Sequence, residues 1–381
     1  MNDRITRTEL LRRAAAGGAL LAVPALLGGR VEAALAANPG KLGKTLTFSN
    51  WPLYIDVNEK TKKHPTLDAF TKKYGVKVNY IEDINDNASF FGKIQGALSR
   101  HQSIGRDIIV MTDNSPYPAL LVEKGWVEKL DKSVLPNIKN LQDTLKHPSW
   151  DPNRDYSLPW QSGMTGIAYN AKLTKPVTSI HQLLTDPKLK GKVTMLTEMA
   201  DSVGIVMLAN GDNPSKVTDA SFNRALQTIQ SALKSGQIRQ FTGNDYAPLL
   251  AKGDISAALA WSGDVVQLQA DNKNLKYNLP TSGGMVWTDN MLIPKGGDAY
   301  TASVYMNFAY DPKIAAQIED YVNYICPVKD ADKVLVKTDP GVAKNPLIFP
   351  PKSVLSKLHS FDPKALFNAD YKEKWQHLLG G

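Results

Sequence analysis

The chain reads as an α/β protein of two lobes with a ligand cleft between them. Three observations predict this. Strand-like and helix-like segments alternate from residue 45 onward, and the alternation runs through two successive units. Cys326 is the only cysteine, so no intrachain disulfide can staple the fold. Of 381 residues, 36 read as a leader, and the 345 that remain can bury a large core unaided.

In the first unit, residues 45–50 read as a strand and residues 67–74 as a helix ended by Gly75. Residues 76–81 alternate as the next strand. Residues 88–98 form an amphipathic helix with Phe90, Phe91, Ile94 and Leu98 as its apolar stripe. Residues 107–111 are a continuous apolar run, as a buried parallel strand requires. Residues 117–124 are a helix closed by Gly125. The second unit begins with a strand over residues 163–170. Ser179 caps a short helix reaching Leu184, and residues 192–196 are the next strand. Residues 222–235 are a helix that Gly236 ends, and residues 255–261 are strand-like. Residues 285–293 read as the chain crossing back. Helices follow over 302–310, 313–324 and 370–379.

Residues 1–36 have the layout of a secretory signal peptide. Arg4, Arg7, Arg12 and Arg13 form a basic start, residues 14–29 are apolar, and Ala34-Leu35-Ala36 offers a cleavage site. The apolar run is too short to span a bilayer. Thr6-Arg7-Thr8-Glu9-Leu10-Leu11-Arg12 is similar to a twin-arginine export signal with Thr8 in place of the second arginine. The expected location is therefore periplasmic or otherwise extracytoplasmic. The net charge is +8, but both signs are interspersed and no basic cluster stands out, so nucleic-acid binding is not expected.

Two short stretches pair an indole with a carboxylate: Trp261-Ser262-Gly263-Asp264 and Trp287-Thr288-Asp289. A third aromatic cluster, Trp51-Pro52-Leu53-Tyr54, follows the first strand. Aromatic faces with a few carboxylates suit an organic cation, because the ring faces are electron-rich and the acids add charge-assisted hydrogen bonds. An aspartate in an otherwise apolar motif also needs a partner. Asp264 has a competing role, capping the helix that starts after Gly263. The six histidines (His64, His101, His147, His181, His359 and His377) show no metal-ligand spacing. No phosphate loop, nucleophile elbow or triad-like arrangement appears. No catalytic residue, metal or cofactor is expected, and the chain reads as a binding protein, not an enzyme.

Over the whole mature chain the sequence resembles the polyamine-binding periplasmic receptors of ABC importers, the spermidine/putrescine solute-binding proteins. The resemblance rests on Phe48-Ser49-Asn50-Trp51-x-x-Tyr54, Gly125-Trp126-Val127-Glu128-Lys129-Leu130-Asp131, Asp155-Tyr156-Ser157-Leu158-Pro159 and Gly166-Ile167-Ala168-Tyr169-Asn170. It extends to Ala260-Trp261-Ser262-Gly263-Asp264 and Gly283-Gly284-Met285-Val286-Trp287-Thr288-Asp289. It implies a type II periplasmic binding protein fold, each lobe a mostly parallel sheet flanked by helices. One lobe would take residues 45–158 plus 287–325, the other 159–286 plus 326–381.

The resemblance also implies the ligand residues. Trp51 and Tyr54 line the cleft, Trp261 stacks on the amine chain, and Asp264, Trp287 and Asp289 supply further walls and acids. Thr112 and Asn114 match a polar pair after the third strand. Met199 and Ser202 fall where the family commonly carries acids, with Glu198 and Asp201 close by. Pro52 and Leu53 also stand where the family is usually acidic or polar. Two acids are therefore expected at the ligand, with Glu198, Asp201 or Asp86 as further ones for a longer polyamine. The implied partners are a polyamine and an inner-membrane ABC permease, with the receptor itself a monomer. A singly charged or zwitterionic amine in the same fold is the alternative. A secreted hydrolase is a remote one.

Overall fold

The computed structural model describes residues 40–380, so the leader expected over residues 1–36 lies outside the described residues. The strands are β1 (Thr45–Asn50), β2 (Lys77–Glu82), β3 (Ile108–Thr112), β4 (Ser157–Asn170) and β5 (Val193–Leu196). They continue as β6 (Ile238–Thr242), β7 (Ala257–Trp261), β8 (Leu275–Asn278), β9 (Gly284–Leu292) and β10 (Leu358–His359). All belong to one sheet of order β2-β1-β3-β9-β4-β7-β5-β6, with β10 added on β9 and β8 on β4.

The two lobes are two parallel triplets at opposite ends of this sheet. β2, β1 and β3 run parallel at one end, and β6, β5 and β7 at the other. The middle differs from the expectation of mostly parallel lobes. β9 runs antiparallel to β3, and β4 runs antiparallel to β7, β8 and β9. The sheet is mixed: β4 and β9 lie between the two triplets and run antiparallel to β7, β8, β3 and each other, while β10 runs parallel to β9.

β4 begins at Ser157, six residues before the expected start, and all 14 of its residues are buried. Pro159 is tolerated there because the register with β9 shifts between Pro159 and Gln161. At such an irregularity the missing N–H removes no regular ladder bond. Just beyond it, Ser162 exchanges two backbone hydrogen bonds with Ile325 (3.0 and 2.7 Å), so a third segment meets β4 at the crossing.

The helix boundaries follow local chemistry. Gly75 ends Pro65–Tyr74 in the left-handed conformation that glycine adopts at no steric cost (φ 71°). Ser179 accepts from Gln182 N at the start of Ile180–Thr185. Phe90, Phe91, Ile94 and Leu98 are the buried face of Asn87–Leu98, as their spacing predicts. The strands these helices cover end at the edge where the cleft lies.

Candidate functional site

A cleft of ≈ 460 Å³, its open mouth included, lies between the two triplets. Its walls come from carboxyl ends of parallel strands, where open α/β sheets place ligands. β1 leads into Trp51, Pro52, Leu53 and Tyr54. Thr112 is the last residue of β3, and Asn114 follows it. From the other lobe, Glu198 follows β5, Asn244 follows β6, and Trp261 ends β7. Asp264 sits in the first turn of the helix Ser262–Asp271. Trp287 and Asp289 project from β9, which belongs to both ends of the sheet.

Among the described residues three carboxylates line this cleft, and no lysine, arginine or histidine does. Asp289 is 3 % exposed. It accepts from the Tyr54 hydroxyl at Oδ2 and the Thr112 hydroxyl at Oδ1, both at 2.6 Å. Thr112 meets it because the two residues are register partners of β3 and β9. Burial pushes the Asp289 carboxyl up to about 7. Asp264 accepts from Tyr324 and Tyr246, each at 2.7 Å, and from Asn244 at 3.3 Å. Burial raises its pKa as well. These bonds occupy it as an acceptor, and its helix shows no side-chain cap, so the capping role does not apply. Glu198 accepts from Asn87 Nδ2 at 3.3 Å and is also met by the Asn87 backbone N–H. Burial, and then the negative charge of Asp201, push it up to about 7.

The aromatic walls are fixed from behind. Trp261 and Trp287 meet edge to face, with ring centroids 6.2 Å apart and planes at 79°. Such pairs add about 0.5–1.5 kcal/mol beyond area burial. Trp261 Nε1 donates to Asp201 at 3.0 Å, and Trp287 Nε1 donates to Thr165 Oγ1 at 3.1 Å. Tyr324 packs on Trp287 and on Tyr54, with centroids at 5.7 and 5.2 Å. Trp287 lies so close to β4 that a Cβ on Gly163 would stand 2.3 Å from its ring.

Of the ten expected ligand residues, eight line the cleft: Trp51, Tyr54, Thr112, Asn114, Trp261, Asp264, Trp287 and Asp289. Met199 and Ser202 do not. They lie in the helix Met199–Ala209 and are buried, and Ser202 Oγ donates to Leu196 O at 2.6 Å. Glu198, the residue before that helix, lines the cleft instead, so three acids face it where two were expected. Asp201 stands behind Trp261, where burial pushes it up to about 6. Asp86 caps the helix Asn87–Leu98 through Ser89 N and does not line the cleft. Asn87, Asn244, Gln267 and Tyr324 line it without having been expected to.

Residues 66–350 match the family model described as bacterial extracellular solute-binding protein. The chain is 24 % identical over 358 residues to the spermidine/putrescine-binding periplasmic protein of Salmonella typhimurium, covering 93 % of this chain and 97 % of that one. It is 29 % identical over 368 residues to the putrescine-binding periplasmic protein PotF of Escherichia coli, covering 89 % and 94 %. Among solved structures it is similar to a putative spermidine/putrescine ABC transporter from Listeria monocytogenes. That match has a TM-score of 0.74 and 25 % identity, and covers 88 % of this chain and 98 % of the other.

Proposed function

The chain belongs to the bacterial extracellular solute-binding proteins, and on that premise we propose that it captures a polyamine of the putrescine or spermidine class outside the cytoplasm and delivers it to the permease of an ABC importer. One observation carries this reading: Asp264, Asp289 and Glu198 line a tryptophan-walled cleft that no basic side chain enters among the described residues. Burying carboxylates without counter-charge is costly, and a bound polycation removes that cost. The curated relatives carry the same ligand class in their names.

In this reading the alkyl chain lies against Trp261 and the Trp51/Tyr54 wall, and each cation–π contact contributes about 0.5–2 kcal/mol. The ammonium groups donate to the acids. Glu198 has spare capacity, since a carboxylate offers about four acceptor sites and Asn87 alone meets it among the described residues. The lobes would divide as residues 45–158 plus 287–325 and residues 159–286 plus 326–381, hinging where β4, β9 and Ile325 cross. Closure excludes water and strengthens the charged contacts. The receptor acts as a monomer, binds no nucleic acid and catalyses no reaction.

Native mass spectrometry of small molecules co-purifying with the protein tests this. A di- or triamine bound by the wild type and lost in Asp289→Ala supports the reading. A ligand without a cationic nitrogen removes it.

A further inference from the structure

We propose that the preferred ligand is a polyamine capped at one end by an apolar acyl group, with the cap seated where the cleft opens past Asp264. The inference rests on the polyamine reading above and narrows it to the N-acyl class.

The first support is the balance of donors and acceptors. Trp51 Nε1 is buried at the cleft and donates to nothing among the described residues. Ammonium groups only donate, so a bare polyamine leaves this N–H unmet at a cost of the kind any buried orphan donor carries. Asn244 Oδ1 is the converse case, a buried acceptor at the cleft with no donor. An amide brings both a carbonyl oxygen and an N–H.

The second support is the shape of the outer end. A second hollow of ≈ 430 Å³, open solvent included, shares Pro52, Leu53, Asn244, Asp264 and Gln267 with the cleft and adds Ala247 and Leu268 as walls. Its one carboxylate is Asp264, whose two oxygens already accept from Tyr324, Tyr246 and Asn244. With three donors already in place, Asp264 has about one acceptor site left for an ammonium group, whereas a short alkyl chain would meet Pro52, Leu53, Ala247 and Leu268.

Third, Leu53 is held at φ 57°, its N–H donating to Glu82 Oε1 at 3.0 Å. Asn and Asp take this left-handed conformation more readily than leucine. Of the six non-glycine residues with positive φ among the described residues, only Leu53 lines the cleft, and strained backbone at a binding site is commonly kept for function. Leucine therefore sits at this rim despite its conformation, which fits a role in contacting an apolar group.

Calorimetric titration with putrescine, spermidine and terminally butanoylated spermidine tests the proposal. The butanoylated dication is expected to bind tightest, about tenfold or more above the equally charged putrescine, from its extra buried methylenes. Leu53→Asp suits the backbone conformation and places a charge at the rim. It should reverse the order in favour of spermidine. Spermidine or putrescine binding tightest to the wild type, or an unchanged order in L53D, overturns the proposal and leaves the polyamine reading standing. Failure of all three amines to bind overturns both.

Discussion

The Tyr324 hydroxyl donates to Asp264 Oδ1 at 2.7 Å, joining the segment beyond the helix Pro312–Val322 to the first turn of Ser262–Asp271. The contact depends on Gly263, where a Cβ would stand 2.2 Å from the tyrosine ring. Gly263→Ala must push the ring away and loosen Asp264. Overpacking of this kind costs about 1–3 kcal/mol. We expect a lower melting temperature and polyamine affinity weakened about tenfold, read by scanning calorimetry and titration. Unchanged affinity would show that Tyr324 does not hold Asp264 for the ligand.

Asp289 separates binding from stability. Asp289→Asn keeps the shape, and the Tyr54 and Thr112 hydroxyls can rotate to suit an amide. It removes a buried acid that meets no counter-charge among the described residues. Ligand-free stability should hold or rise, while polyamine affinity falls about 10–100-fold, the loss of one charge-assisted hydrogen bond. Equal loss of stability and affinity would instead assign Asp289 a structural role.

Ser202→Ala, in the helix Met199–Ala209, is the control. Its hydroxyl donates to Leu196 O and stays out of the cleft. Losing that bond should cost about 1 kcal/mol of stability and leave affinity within about twofold. A large loss of affinity in urea-matched, folded protein would return Ser202 to the ligand shell.

The carboxyls give the ligand-free and bound protein opposite responses to pH. Asp289 and Glu198 stand near 7 and Asp201 near 6, all pushed up by burial. The folded, empty protein therefore holds more protons than the unfolded chain between about pH 4 and 7. Its stability is full below the unfolded carboxyl range and declines as pH rises through 6 to 7. A cation favours the ionised acids, so affinity should rise over the same window. Binding near pH 7 should release protons, seen as calorimetric enthalpies that vary with buffer ionisation heat. Asp289→Asn with Glu198→Gln should flatten both trends; an unaltered pH profile would contradict the assignment.

Legibility of the sequence divides along physical lines. The parallel strands and their helices are readable because their signals are local: apolar runs, Ser179 as a cap, Gly75 and Gly236 as stops. β4 extended beyond its expected start because Pro159 reads as a strand breaker, and only the register shift against β9 makes it acceptable. Trp51, Tyr54, Trp261, Asp264, Trp287 and Asp289 were visible as rings beside acids. Tyr324 was not, because its position depends on Asn323 turning the chain at φ 60° after the helix ends. Glu198 was displaced by one residue in the expectation. Where Met199–Ala209 begins decides which side chain of that loop faces the cleft, and the apolar sequence there gives no sharp start.

The central claim, that these acids hold a polyamine, is tested most directly by isothermal titration of spermidine at neutral pH into wild type and Asp289→Asn. The account predicts a dissociation constant on the order of a micromolar or tighter for the wild type and clear weakening in the variant. No heat at millimolar spermidine, or equal affinity in both proteins, would contradict it.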